Sequence, residues 1–245
     1  MNSASENDLI VSTFYDSFGD SLVDSSNFSN DIESYLVLED KMVNSILGNG
    51  NYSCLVEVGC MEGRSIYLAE SHQISYCGID IVKRYIEKAN IAIRESKIEK
   101  HGHAKLLSAY DLNFDTVPEL LNKSCLVYFP FNCFGNIPDF KRIKNVICNL
   151  NADIFISTYQ TNACAHRARS DYYKKSGYSE IQCNFTDEGV RFSSKENLNT
   201  IAYELNFLLE SLNVNSRKVT IYDEGKIFRG IYIQAPSSIT PDFKV

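Results

Sequence analysis

The sequence predicts an α/β fold: one domain on a mostly parallel sheet with helices against it, closed at its C-terminal end by an antiparallel hairpin. Three observations carry this reading. The stretch from Cys54 to Asp80 reads as strand, glycine turn, helix and strand, with Leu55, Val56 and Val58 in the first strand and Gly59 and Gly63 in the turn. Short apolar runs at 104–109, 124–129 and 153–158 then alternate with helical stripes, as repeated βαβ units require. Two apolar segments, 218–222 and 227–234, flank Asp223-Glu224-Gly225, and so short a connection joins antiparallel strands.

Taken in order, residues 1–7 read as loosely attached, and Leu9, Ile10, Phe14, Tyr15 and Phe18 mark a short helix over 8–18. A second helix is expected over 31–47, with Asn30 as its cap and Glu33 as the capping-box partner. Its apolar positions, Ile32, Tyr35, Leu36, Leu38 and Met42, fall mostly on one stripe. Residues 1–50 thus form an N-terminal helical layer and 51–235 the core of a single domain spanning 1–245. After Asp80, the residues Val82, Tyr85, Ile86, Ala89 and Ile93 give another helical stripe, followed by the third strand. The fourth strand, 124–129, runs into the aromatic loop Pro130–Asn136. A helix over 139–150 leads to the fifth strand, 153–158, with Tyr159–Asn162 at its end. A helix over 165–175 and a strand pair around Asp187-Glu188-Gly189 make up an insertion at about 160–193. Ser193 and Glu196 read as a capping box opening a helix whose stripe is Leu198, Ile201, Ala202, Leu205, Leu208 and Leu212. The tail from Ala235 reads as loose.

Composition narrows the function classes. A chain of 245 residues with 44% hydrophobic content can bury one substantial core. No apolar run approaches the ~20 residues of a membrane span. The first residues, Met1–Glu6, are polar and acidic rather than signal-like, so a cytoplasmic location is expected. Eight cysteines occur without a Cys-x-x-Cys pair, several inside apolar strands (Cys54, Cys77, Cys125), and read as reduced, buried thiols. On this cysteine pattern zinc or another bound metal is not expected, and the four histidines do not change that, since His101-Gly102-His103 reads as a surface turn. A net charge of −7 argues against a large nucleic-acid footprint.

The loop at the carboxyl end of the first strand is where a nucleotide-like ligand sits in such folds. A dinucleotide fingerprint needs G-x-G-x-x-G, but Met61 occupies the second glycine position and Gly63 falls one short of the third. Met61 and Glu62 stand where a pyrophosphate would approach. A ligand with a ribose, for Asp80, and a positive centre, for Glu57, fits better. Glu57-Val58-Gly59-Cys60-Met61-Glu62-Gly63, then Gly78-Ile79-Asp80 and the following helix, resemble motif I and the acidic second-strand motif of class I S-adenosylmethionine-dependent methyltransferases. The family's loop usually carries a third glycine where Met61 stands.

The resemblance implies a Rossmann-like, three-layer sandwich with a seven-stranded sheet and an N-terminal helical lid. It implies S-adenosylmethionine as cofactor, S-adenosylhomocysteine as product, and an in-line methyl displacement onto a small molecule. Carried onto this chain, the cofactor-binding residues are Glu57, Gly59, Cys60, Gly63, Asp80, Ile81, Phe129 and Phe131. Asp111 is either the adenine contact or the cap of the next turn. Asn132, Arg167, Arg169 and Tyr172 are candidates for the acceptor, with Tyr173 as a further wall. Tyr15, Tyr159 and His166 are the candidate general bases. The cluster of Arg167, Arg169, Lys174 and Lys175 in an acidic chain points to a small anionic acceptor. The alternative is a cofactor-binding regulatory protein without transferase activity. Aminopropyl transfer is disfavoured because Pro130–Asn136 contains no acid. The sequence does not fix the oligomeric state.

Overall fold

The computed structural model describes residues 6–121, 124–212 and 217–236. Its centre is a seven-stranded sheet in the order β3-β2-β1-β4-β5-β10-β9. The strands are β1 (Cys54–Val58), β2 (Ser75–Asp80), β3 (Gly102–Leu106), β4 (Cys125–Phe129), β5 (Asp153–Tyr159), β9 (Val219–Tyr222) and β10 (Phe228–Ile233). The first five pair in parallel. β10 inserts antiparallel between β5 and β9, so the C-terminal hairpin closes the sheet as expected.

Two cores make the three layers. Along β1 the side chains alternate, with Leu55 on one face and Cys54, Val56 and Val58 on the other. The first face is covered by α1 (Glu6–Val23), α2 (Asn30–Asn49), α3 (Ile66–His72), α4 (Lys83–Glu95) and α6 (Ala163–Lys175). The second is covered by α5 (Phe140–Asn149), α7 (Leu205–Ser211) and the short turns between β3 and β4. Because β2 and β4 flank β1 on opposite sides, the chain reverses direction there. A crevice therefore opens at the carboxyl ends of β1 and β4.

Three expectations are corrected. The helix α1 is longer than its apolar pattern suggested, and α2 is capped by Ser29, whose hydroxyl accepts the Ile32 N–H, rather than by Asn30. The helix expected after the Ser193 and Glu196 capping box, with its stripe from Leu198 to Leu212, is helical only in α7 (Leu205–Ser211) and is preceded by a strand, β8 (Asn199–Tyr203). Here the ladder offered by β7 (Gly189–Ser193) outweighs helical periodicity, and β6 (Gln182–Thr186), β7 and β8 form a separate antiparallel sheet. Glu196 does not cap a helix; its carboxylate accepts the Ser179 N–H and the Ser194 hydroxyl. Of the ends expected to be loose, 1–7 and from Ala235 on, Glu6 and Asn7 belong to α1 and the Ala235 N–H donates to Asp153 Oδ1 at 2.6 Å, while 1–5 and 237–245 lie outside the described residues.

The small sheet is locked to the loop after β4 at Gly135, where an added Cβ would stand 1.9 Å from the Ile201 carbonyl oxygen. Gly135→Ala should therefore lower unfolding free energy by about 1–3 kcal/mol, the cost of overpacking against rigid backbone. Urea denaturation checks this; a variant as stable as wild type would show that the two sheets can part.

Candidate active site

One cavity, of about 440 Å³, occupies the crevice at the carboxyl end of the sheet. Its floor is the loop after β1. Gly59 and Met61 take left-handed φ of 72° and 46°, and a Cβ on Gly59 would meet Cys133 Sγ at 2.5 Å. Glycine there lets the loop after β4 close against the loop after β1. Met61 tolerates its strained conformation because its N–H donates to Asp80 Oδ2 at 3.0 Å.

Asp80 ends β2 and is nearly buried, with Oδ1 accepting the Val82 N–H at 2.9 Å. Burial raises its pKa above the usual carboxylate value, against the lowering by its backbone donors. Each oxygen keeps a lone pair for a ligand hydroxyl. Glu57 is more enclosed: Oε1 accepts Ser65 Oγ at 2.7 Å and Oε2 accepts the Tyr76 hydroxyl at 2.5 Å. Burial pushes its carboxyl up to about 7.

Glu39, on α2 and fully buried, sets the far wall. Its Oε1 accepts the Phe131 N–H at 2.6 Å, while Oε2 accepts from the Arg64 guanidinium at the end of the glycine loop. This fixes two consecutive left-handed residues, Phe131 (φ 40°) and Asn132 (φ 60°). Asn132 lines the cavity, but its amide is spent within the protein: Nδ2 donates to Thr200 Oγ1 at 2.9 Å, and Oδ1 accepts from Thr158 Oγ1 at 2.7 Å. The Phe131 ring packs 5.3 Å from Tyr35, 6.1 Å from Tyr159 and 5.8 Å from Tyr172. Tyr15, Tyr159, Tyr172 and Tyr173 complete an aromatic end.

The helix α1 lines one side of the cavity, contributing Asp8, Val11, Tyr15, Leu22 and Val23. It is fastened to α4 by Arg84, which donates to Asp16 and Asp20 at 2.8 Å each. It is tied to the loop after β3 by Ser108 Oγ, which donates to Asp8 Oδ1 at 3.0 Å. At its C-terminal end the Tyr172 hydroxyl donates to the Leu22 carbonyl.

Most sequence-predicted cofactor residues meet here: Glu57, Gly59, Cys60, Gly63, Asp80, Ile81 and Phe131 all line the cavity. Phe129 and Asp111 do not. Phe129 is buried in the second core, 5.3 Å from Phe134, because its strand position points it to that face. Asp111 faces Arg142, which donates to it at 3.3 Å; Ser108, Ala109 and Tyr110 line the cavity at that end. On the acceptor side, Tyr15, Tyr159 and Tyr172 line it, whereas His166, Arg167 and Arg169 do not. His166 packs against Phe185 at 4.8 Å, and Arg167 is exposed. Arg169 is fully buried behind the wall. Its guanidinium lies 5.0 Å from the Tyr159 ring and donates to the carbonyls of Val190 (3.0 Å) and Thr200 (3.5 Å), with no carboxylate partner among the described residues.

Sequence reasoning missed Glu39 and Asp8. The signal for Glu39 was present: it falls at the 35, 39, 42, 46 spacing of the buried stripe of α2, where a charge needs a partner.

No protein-family model matches this sequence, and no curated protein does. Solved structures do resemble it. The 1,6-didemethyltoxoflavin-N1-methyltransferase of Burkholderia thailandensis, with bound 1,6-didemethyltoxoflavin and S-adenosylhomocysteine, matches at TM-score 0.62 and 8% identity, covering 97% of this chain and 92% of that one. The geranyl diphosphate C-methyltransferase of Streptomyces coelicolor gives 0.58 and 11% over 96% and 100%. The magnesium protoporphyrin IX methyltransferase of Synechocystis, with bound S-adenosylmethionine, gives 0.57 and 13% over 96% and 100%. The fold is thus the class I S-adenosylmethionine-dependent methyltransferase fold.

Glu57 yields a pH test. Its folded pKa of about 7 lies above the ordinary value of 4.5, so the native state holds a proton that the unfolded state releases. This contribution is complete below about pH 4.5 and is lost as pH rises towards about 7, on the order of 3 kcal/mol in all. Glu57→Gln should therefore gain stability relative to wild type by about that amount between about pH 5 and about pH 8. Urea unfolding at both pH values is the measurement, and a pH-independent difference would contradict the assignment.

Proposed function

We propose that this protein transfers a methyl group from S-adenosylmethionine to a small, ring-bearing acceptor that enters as an anion. The carrying observation is a cavity at the carboxyl end of the sheet that brings the acidic strand end Asp80 and a cluster of aromatic rings into one lining. The residues present fit the cofactor. Asp80 would hold ribose hydroxyls, the loop Gly59–Gly63 the amino-acid portion, Ser108–Tyr110 the adenine edge, and the rings of Tyr15 and Phe131 the sulfonium, which aromatic faces attract. S-adenosylmethionine, when bound, supplies a methyl group already activated on a sulfonium. The bound forms of the toxoflavin and protoporphyrin methyltransferases support this reading.

The protein's own part is alignment and exclusion of water by α1 and the aromatic rings. Proton removal is not part of it. Burial raises the Tyr15 and Tyr159 hydroxyls well above their ordinary value, so they stay protonated at neutral pH. Both Glu57 oxygens and both Asp80 oxygens already accept internal donors. An acceptor that arrives deprotonated needs no base. The Arg169 charge behind Tyr159, lacking a carboxylate partner among the described residues, favours such an anion. This replaces the exposed Arg167 as the basis for the anionic preference.

Labelled S-adenosylmethionine incubated with the protein and a metabolite extract should yield a labelled acidic small molecule by mass spectrometry. Binding of the cofactor with no labelled product would favour the regulatory reading. On the acceptor so identified, Arg169→Met should lower kcat/KM at least tenfold, equivalent to ~1.4 kcal/mol. Arg167→Ala should leave it within twofold, and cofactor affinity should hold in both. Equal kinetics in the two variants would remove Arg169 from the acceptor site.

A further inference from the structure

The cysteine pattern in sequence shows no metal motif, yet strand register builds a ligand set outside the cavity lining. Cys77 on β2 is the direct register partner of His103 on β3, so both project from the same face of adjacent strands. The turn Pro118–Leu121 crosses that face, anchored by Val117 and Leu120 in the second core, and brings Glu119 over the pair. One ligand atom from each of the three residues lies within 4.8 Å of the others. His103 Nε2 and Glu119 Oε1 are 3.6 Å apart, close to the ~3.3 Å edge of a tetrahedron with bonds of ~2.0–2.1 Å.

The second observation is unmet hydrogen bonding. His103 Nε2 and Glu119 Oε2 are both buried, and neither has a hydrogen-bond partner among the described residues. Buried polar atoms are rarely left so, and a shared ion would satisfy both. The nearby cation, Lys105, is turned aside, with Nζ donating to the Thr116 carbonyl at 3.1 Å. Cys125 is engaged too, its thiol donating to the Glu119 carbonyl at 2.7 Å.

We propose that Cys77, His103 and Glu119 form a binding site for a divalent transition-metal ion, zinc by ligand preference, that pins the 112–121 segment to β2 and β3. Thiolate, imidazole and carboxylate together suit zinc, whereas magnesium and calcium take oxygen ligands. Three protein ligands leave a fourth position for water. None of the three residues lines the cavity, so the site stands apart from the proposed methyl transfer.

Reduced, chelator-stripped full-length protein is titrated with cobalt(II), then with zinc in competition with a chromophoric chelator. The expected result is one ion per chain, a thiolate-to-cobalt charge-transfer band that zinc abolishes, and a zinc-dependent rise in Tm. His103→Gln and Glu119→Gln, both checked by circular dichroism and S-adenosylhomocysteine binding, should each weaken zinc affinity at least tenfold and lose most of the Tm rise. The double variant Cys148→Ser/Cys183→Ser, which removes two exposed thiols, should bind as wild type. Absence of the band, wild-type affinity in both glutamine variants, or loss of binding in the double variant would overturn the proposal.

Discussion

The carboxylate of Glu39 is the constraint on which the cavity depends. It is a buried charge on a helix of the first layer, and it resolves its own burial by binding two loops at once: the Arg64 side chain after β1 and the Phe131 N–H after β4. A buried carboxylate without such partners would carry a penalty of several kcal/mol. Its pairing therefore forces the two loops to a fixed separation, with α2 as the bridge. The left-handed backbone at Phe131 and Asn132 persists because this hydrogen bond and the five hydrogen bonds of Asn132 over-determine it.

The other buried ionisable groups are handled in different ways, and each way has a functional reading. Asp80 is satisfied by backbone donors and still lines the cavity, which leaves it free for the proposed contact with ribose hydroxyls. Burial raises the pKa of Glu57, and the two hydroxyls that donate to it offset that rise only in part. Arg169 has carbonyls and aromatic faces but no anion among the described residues. Its guanidinium lies behind Tyr159 and Tyr173, two rings that line the cavity, and this placement is what the proposed preference for an anion rests on.

The sheet, its order of elements and the glycine loop were legible in the sequence because each strand is a short apolar run punctuated by turn residues. The Glu57, Gly59, Gly63 and Asp80 positions follow from that order alone. What stayed hidden depends on long-range pairing. Leu198, Ile201 and Ala202 fit a helical stripe as well as a strand, and only the partner β7 decides between them. Arg169 and Arg167 look alike in sequence, two residues apart, yet helix geometry puts one in the core and the other in solvent. The Cys77–His103 pairing is likewise invisible until the register of β2 and β3 is known.

The central claim is that this cavity is a S-adenosylmethionine site organised on Asp80. Calorimetric titration of S-adenosylhomocysteine into wild type and Asp80→Ala tests it most directly. The account predicts one-to-one binding by wild type, weakened by ~1.5–3 kcal/mol in the variant, the cost of losing hydrogen bonds to a charged group. Tight binding of NAD with none of S-adenosylhomocysteine, or equal affinity in both proteins, would contradict it.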